Sequence, residues 1–364
     1  MNNLPNALQA HNKVAFHMPG HKRNTALLGD ALPYALDITE IEGFDHLQRP
    51  HGVLLDIMRR AQALWHSDGT YLSVNGSTGA ILAGIRAMTQ PGDEIIVARN
   101  CHMSVFHAIE LCHLRPVFLE PQWLPAWGIY GQVTQQSFDS LRAQHPGAAL
   151  CVLTSPSYEG IISEICTDMP LLIDAAHGAH LALPKADVVV HSLHKTLPAL
   201  TQTALLHVQG TRVDRERLEH NLRIFQTSSP SYVLLASIEE CITLLEQNRA
   251  NWFAAWQVHL DQFYAHAQRW QNLRLFEPQD KSKLLIQCDA EVAVKFLRGR
   301  GIEPEYAHQN RILLMTSPCD TDEMMTKLTE ALDELDKCAL PANREFPEPT
   351  PAYEWFFPGK APKN

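Results

Sequence analysis

Six short runs, apolar at nearly every position, punctuate the middle of the chain: Glu94–Ala98, Pro116–Leu119, Leu150–Thr154, Leu171–Asp174, Val188–His191 and Ala204–Val208, with helix-like stretches between several of them. A strand with one wet face alternates polar and apolar side chains, whereas a strand apolar throughout must be covered on both faces. The pattern therefore predicts an α/β fold, a mostly parallel sheet flanked by helices. From Leu218 to about Trp270 the period becomes helical, with Leu234, Ile238, Ile242 and Leu245 on one face. Beyond it, a β-prone run at Lys283–Cys288, a helix over Ala290–Gly299, a second β-prone run at Arg311–Met315 and a final helix over Asp320–Cys338 read as a smaller C-terminal α+β domain. The expected division is an N-terminal arm at 1–40, a large domain at 41–270 and a small domain at 271–340. Six prolines in the last 24 residues make 341–364 an extended arm.

Two of the run ends carry chemistry. Leu172-Ile-Asp174-Ala-Ala-His177 ends one strand in a carboxylate, and Val188 onward ends the next in Ser192-Leu-His194-Lys195. A lysine after a strand is ordinarily a solvated loop residue. Here it is joined by the groups an enzyme needs to hold pyridoxal 5'-phosphate. Lys195 supplies an amine that forms an imine with the cofactor aldehyde, and Asp174 supplies a carboxylate that keeps the pyridine nitrogen protonated. Ser192 and His194 can hydrogen-bond a phosphate. A third element, Tyr71-Leu-Ser-Val-Asn-Gly76-Ser77-Thr78-Gly79, opens a helical pattern with Ile81, Leu82, Ile85 and Met88. First-turn N–H groups of a helix form a natural phosphate site, although a capped turn without a ligand looks the same.

Eight ordered stretches extend this pattern: Phe16-His-Met-Pro-Gly-His-Lys-Arg23, Asp37-Ile-Thr-Glu-Ile41, Val74-Asn-Gly-Ser-Thr-Gly79, Arg99-Asn-Cys-His-Met-Ser104, Thr154-Ser-Pro-Ser-Tyr158, Asp174-Ala-Ala-His-Gly-Ala-His180, Ser192-Leu-His-Lys-Thr-Leu-Pro198 and Thr227-Ser-Ser-Pro-Ser-Tyr232. Together they resemble the Orn/Lys/Arg decarboxylase family of pyridoxal-phosphate enzymes with the aspartate-aminotransferase-like fold. The resemblance implies that Lys195 forms the imine, Asp174 pairs with the pyridine nitrogen, and His102 stacks on the cofactor ring. From the residues alone, a helix-capping histidine is the other reading of His102. The resemblance further implies that Ser77, Thr78, Ser192 and His194 gather at the phosphate and that His177 lies near the cofactor, its role open between stacking, the ring hydroxyl and a substrate carboxylate. It also implies a homodimer in which Thr227 to Ser229 reach the partner's cofactor phosphate, a shared site. Three features depart from the family pattern: Ala175 stands where a glutamate is usual, Gln48 where a histidine is usual, and Phe346-Pro-Glu-Pro-Thr-Pro-Ala-Tyr-Glu-Trp-Phe356 where a Pro-Pro-Gly-Ile-Pro segment is usual. These departures leave the cofactor groups in place and bear on the substrate.

The activity this resemblance implies is α-decarboxylation of lysine, ornithine or arginine, with an aminotransferase, another lyase or a silent binding subunit as rivals. A net charge of −10 suits a cationic small-molecule substrate and disfavours a nucleic-acid surface. Eight cysteines show neither a CxxC pair nor a regular framework, which points to a reducing cytoplasm. No leader pattern opens the sequence and no apolar run nears the ~18 residues a membrane helix needs. The pairs His177/His180, His191/His194 and His17/His21 have spacings a metal could use, yet the first two lie at strand ends explained by the cofactor and the last flanks Pro19-Gly20, so no metal is expected. The acidic residues Asp322, Glu323, Glu330, Asp333, Glu334 and Asp336 read as a solvated helix face.

Overall fold

The alternation of strands and helices is realised as a seven-stranded sheet beside a separate four-stranded one. The computed structural model describes residues 3–338, so the expected arm at 341–364 lies outside the described residues. Three helices, α1 (Leu4–Ala10), α2 (Thr25–Leu28) and α3 (Val53–Trp65), precede β1 (Gly69–Ser73) and α4 (Gly76–Met88). Then come β2 (Glu94–Ala98), α5 (Met103–Leu111), β3 (Arg115–Leu119), the small hairpin β4 (Trp123–Leu124) and β5 (Ile129–Tyr130), and α6 (Gln135–Gln144). They are followed by β6 (Leu150–Thr154), β7 (Leu171–Asp174), β8 (Val188–Ser192), the single turn α7 (Leu193–Thr196), β9 (Ala204–Val208) and α8 (Arg215–Phe225). The last part holds α9 (Tyr232–Ala267), β10 (Arg274–Leu275), β11 (Lys283–Gln287), α10 (Ala290–Gly299), β12 (Tyr306–His308), β13 (Arg311–Met315) and α11 (Asp322–Cys338).

The large sheet has the order β1-β9-β8-β7-β6-β2-β3. β3, β2, β6, β7 and β8 are parallel, while β9 runs antiparallel to both β8 and β1. The carboxyl ends of β1, β2, β6, β7 and β8 therefore share one edge. Register makes this concrete: Ser73 and Ser192 both oppose Ala204, and Asp174 opposes Val190 on one side and Thr154 on the other. Helix α4 approaches the sheet closely because Gly84 has no side chain; a Cβ there would lie 2.9 Å from Leu172 Cδ1.

The long helical stretch is broken where the sequence is helical in period but wrong in chemistry. Pro230 cannot continue a helix, and the Ser231 side chain accepts from Leu234 N to start α9 afresh. The first half of α9 buries Leu235, Ile238, Ile242 and Leu245 against the large sheet's outer layer, and the second half buries Trp256, Leu260 and Phe263 against the small sheet. One helix thus joins both cores. The solvated-face reading of α11 is corrected at Asp336, which is buried because its carboxylate accepts from the backbone N–H groups of Gln271, Asn272 and Leu273 at 2.7–3.1 Å.

The connection from β6 to β7 contains no helix, unlike the usual parallel crossover. A cavity of about 1150 Å³ opens there, lined in part by Ile162, Ile165, Met169, Ile173 and Ala175.

Candidate active site

Because β7 and β8 lie side by side in parallel, they deliver Asp174 and the Ser192–Lys195 turn to the same edge. Buried Leu193 anchors that turn, its N–H bonded to Thr203 O, and His194 and Lys195 are left half-buried at the edge. Lys195 Nζ lies 2.9 Å from His177 Nε2. Burial lowers the Lys195 pKa; the charges of Asp174 and Glu305 oppose that, and the ammonium of Lys283 adds to it. Burial, reinforced by the lysine charges, pushes His177 well below the ordinary histidine range. A neutral His177 that accepts at Nε2 from Lys195 carries its hydrogen on Nδ1, a buried atom without a hydrogen-bond partner among the described residues.

Asp174 is 2% exposed, and its Oδ1 accepts from Ala176 N at 3.1 Å. Burial raises its pKa, against the Ala176 N–H and the charges of His102 and Lys195. A buried carboxylate so poorly compensated suits a cationic partner. His102 does cap α5: Nδ1 accepts from Ser104 N at 3.2 Å and lies 2.9 Å from Ser104 Oγ. The cap fixes one edge of the ring, and the same placement puts it within electrostatic reach of Asp174 and Lys195. The two readings of His102 are therefore compatible.

The phosphate-type groups converge on the loop before β9. Gly76 N donates to Gln202 O at 2.9 Å, and His194 Nδ1 lies 3.1 Å from Thr203 O, so the Gly76-Ser77-Thr78 turn and His194 are tied to consecutive residues. Gly76, the first residue of α4, has φ +69°, a conformation that favours glycine. Ser192 Oγ is buried with no hydrogen-bond partner among the described residues, an arrangement that an incoming acceptor would complete. Gln226 accepts from Val74 N at 3.1 Å, which starts the exposed Thr227-Ser228-Ser229 segment beside the turn between β1 and α4.

Several groups at the site carried no role in the sequence reading. Tyr158 lies edge-on to His177 at 4.6 Å, stacks with Tyr306 at 5.5 Å and donates to Glu305. Glu305 is contributed from 110 positions beyond Lys195, and nothing in Ile302-Glu-Pro-Glu-Tyr306 marks it locally. Asp280 and Lys283 lie behind His177.

One expectation is corrected. Ala175, expected to bear on the substrate, follows directly after β7 and continues its alternation, lining the cavity with Ile173 on the face opposite Asp174. The histidine pairs also separate: His180 goes to Asp280, His21 to Asp37, and His191 to His207 within the sheet.

The Orn/Lys/Arg decarboxylase major domain, as a family pattern, matches residues 6–292. The chain belongs to the Orn/Lys/Arg decarboxylase family. It is 32% identical over 368 residues to an arginine decarboxylase of Halalkalibacterium halodurans, covering 89% of this chain and 74% of that enzyme. An uncharacterized protein of Bacillus subtilis, YaaO, is 37% identical over 252 residues, 63% of this chain and 52% of its own length. Among solved structures, the Francisella novicida lysine decarboxylase superposes with a TM-score of 0.82 at 18% identity, over 93% of this chain and 60% of that one. A structure of SPT with PLP gives 0.64 at 11% identity over 82% of this chain, which shows the shared fold. The chain thus spans about half of the Bacillus subtilis relative and 60% of the lysine decarboxylase.

Proposed function

We propose that this family member binds pyridoxal 5'-phosphate and removes the α-carboxyl group of a basic amino acid, giving carbon dioxide and the corresponding amine. The observation that carries this reading is the Lys195 amine, 2.9 Å from His177 Nε2 at the edge where buried Asp174 and unpartnered Ser192 Oγ also lie. When bound, the cofactor supplies an aldehyde for the amine and an electron sink for the broken bond. Lys195 provides the amine, and its lowered pKa leaves more of it neutral and nucleophilic near pH 7. Asp174 would hold the proton on the pyridine nitrogen. His102 would cover the ring face, and Ser77, Thr78, Ser192 and His194 would take the phosphate. The Lys195 amine would also be the group placed to give a proton to the substrate's Cα. Glu305 takes the substrate's distal cation, since its carboxylate already acts on Lys195 from the mouth of the site.

We also propose a cytoplasmic homodimer with shared sites. Support comes from exposed apolar groups on the N-terminal arm, with Phe16 94% and Val14 82% exposed, and from the exposed Thr227-Ser228-Ser229 hydroxyls, which suit the partner's phosphate. The cysteines are all free, and no helix among the described residues is long and apolar enough to cross a membrane. Lys195→Ala and a Thr227/Ser228/Ser229 triple alanine, dissociated and reassociated together, should regain part of the activity; no regain in proven mixed dimers contradicts the shared site.

The deciding test of the reaction is a panel of amino acids offered to purified, cofactor-loaded protein. Stoichiometric carbon dioxide from lysine, ornithine or arginine is the expected result. Amino transfer without carbon dioxide would make it an aminotransferase, and no turnover of any amino acid would favour a binding subunit.

A further inference from the structure

Two charged side chains with no part in that scheme, Asp280 and Lys283, are 3% and 0% exposed where the turn into β11 meets the large sheet. Burying an ion pair costs several kcal/mol of lost hydration per ion, and an apolar pair of the same size is often as stable, so stability alone does not explain them. Their contacts do. Lys283 Nζ lies 3.1 Å from Asp280 Oδ2, 2.8 Å from Ser282 Oγ and 3.5 Å from the His177 carbonyl oxygen. Asp280 Oδ1 lies 3.1 Å from His180 Nε2, and Asp280 N donates to Gly160 O at 3.0 Å. Gly160 has φ +87°, and a Cβ there would sit 2.6 Å from Asp280 O. One turn of the small sheet therefore grips both loops at the active-site edge, the one bearing Tyr158 and the one running from Asp174 to His180.

We infer that the Asp280–Lys283 pair is a positioning unit: it fixes the His177 loop where Nε2 meets Lys195 Nζ, and so couples the reactivity of Lys195 to the docking of the small sheet. The inference rests on the reading of Lys195 as the reactive amine. The groups facing Lys195 are His177 and Asp174 after β7, His102 before α5, Glu305 before β12 and Lys283 at the start of β11. Asp174 and Glu305 favour the protonated amine, and Lys283 favours the neutral one. Lys283 acts in two ways, through its bond to the His177 carbonyl and through its charge.

The test uses cofactor-free protein, so its outcome is separate from that of the decarboxylation reading. Lys195 and the exposed Lys185 are acetylated with trace reagent across pH 6 to 10, taken as a range of roughly four units around neutrality and the lysine pKa, and quantified by peptide mass. In Lys283→Met, Lys195 should label severalfold more slowly near neutral pH, its profile moved to higher pH, while Lys185 is unchanged. Ser282→Ala, which removes the 2.8 Å contact to Lys283 and the hydroxyl's bond to Asp280 while leaving the Lys283 charge in place, should move Lys195 the same way by less, and serves if Lys283→Met does not fold. Equal changes at Lys185 and Lys195 would indicate general loosening and overturn the inference. So would an unchanged Lys195 profile in every folded variant. If borohydride reduction of loaded protein marks another lysine, the functional reading fails while the labelling result stands.

Discussion

Two clusters of buried histidine belong to the same sheet and behave differently. At the carboxyl edge, His177 meets Lys195, Asp174 lies beside them, and Lys283 and Glu305 act on them from the small sheet. Deeper in the sheet, His191 and His207 are fully buried, 3.2 Å apart, in a chain that runs through Thr70 to Ser67 and packs on Trp65. Burial alone takes His207 down to about 3, and burial and other histidines lower His191. A buried histidine is therefore not a site in itself. Opposed charges around a half-buried amine, with polar atoms left without a partner among the described residues, distinguish the first cluster from the second.

The contrast is broken most severely at Lys195. Lys195→Ala should abolish covalent cofactor attachment and lower decarboxylation by several orders of magnitude, whereas His191→Gln should leave both near normal. Visible absorbance and carbon dioxide release check the pair, and equal loss in both variants would erase the distinction. Next in size is Asp174→Asn, which keeps the shape and removes the charge. A charge-assisted hydrogen bond is worth about 1.5–3 kcal/mol, so cofactor affinity should drop by roughly ten- to a hundredfold. Turnover at saturating cofactor should fall as well; equilibrium titration and steady-state rates separate the two effects.

Glu305→Gln should raise KM for a basic amino acid severalfold with a smaller change in kcat, because an exposed carboxylate contributes modestly to a cation. An unchanged KM would remove Glu305 from substrate recognition.

The smallest effect belongs to the second cluster. His207 has a folded pKa of about 3, below its value of about 6.5 in the unfolded chain. Its contribution to stability is present above about pH 6.5 and is lost as pH falls toward 3, because the unfolded chain then binds the proton more readily. The Tm should decline over that window, and His207→Gln should make the decline shallower without altering cofactor binding. Calorimetry across the window checks both.

The strands were legible because burial on both faces leaves an apolar run no matter what packs against it. Leu150–Thr154, Leu171–Asp174 and Ala204–Val208 have the same limits in the sequence and in the fold. Asp174, His102 and Lys195 could be proposed because each follows such a run and the topology brings those ends together. Glu305, Asp280 and Lys283 could not. They come from another sheet, and their place beside Lys195 depends on docking that no local spacing encodes. Ala175 shows the converse: an absent carboxylate visible in sequence lies on the far side of the strand, which alternation decides. Asp336 looked like surface charge because the backbone N–H groups it binds lie more than 60 positions away.

Which amine the cofactor engages decides whether the carboxyl edge is the active site. Borohydride reduction of protein incubated with pyridoxal 5'-phosphate, followed by proteolysis and mass mapping, reads this directly. The expected result is one pyridoxyl group per chain on Lys195, absent after Lys195→Ala. Label on Lys283, on Lys185 or spread over surface lysines would contradict the assignment of the carboxyl edge as the active site.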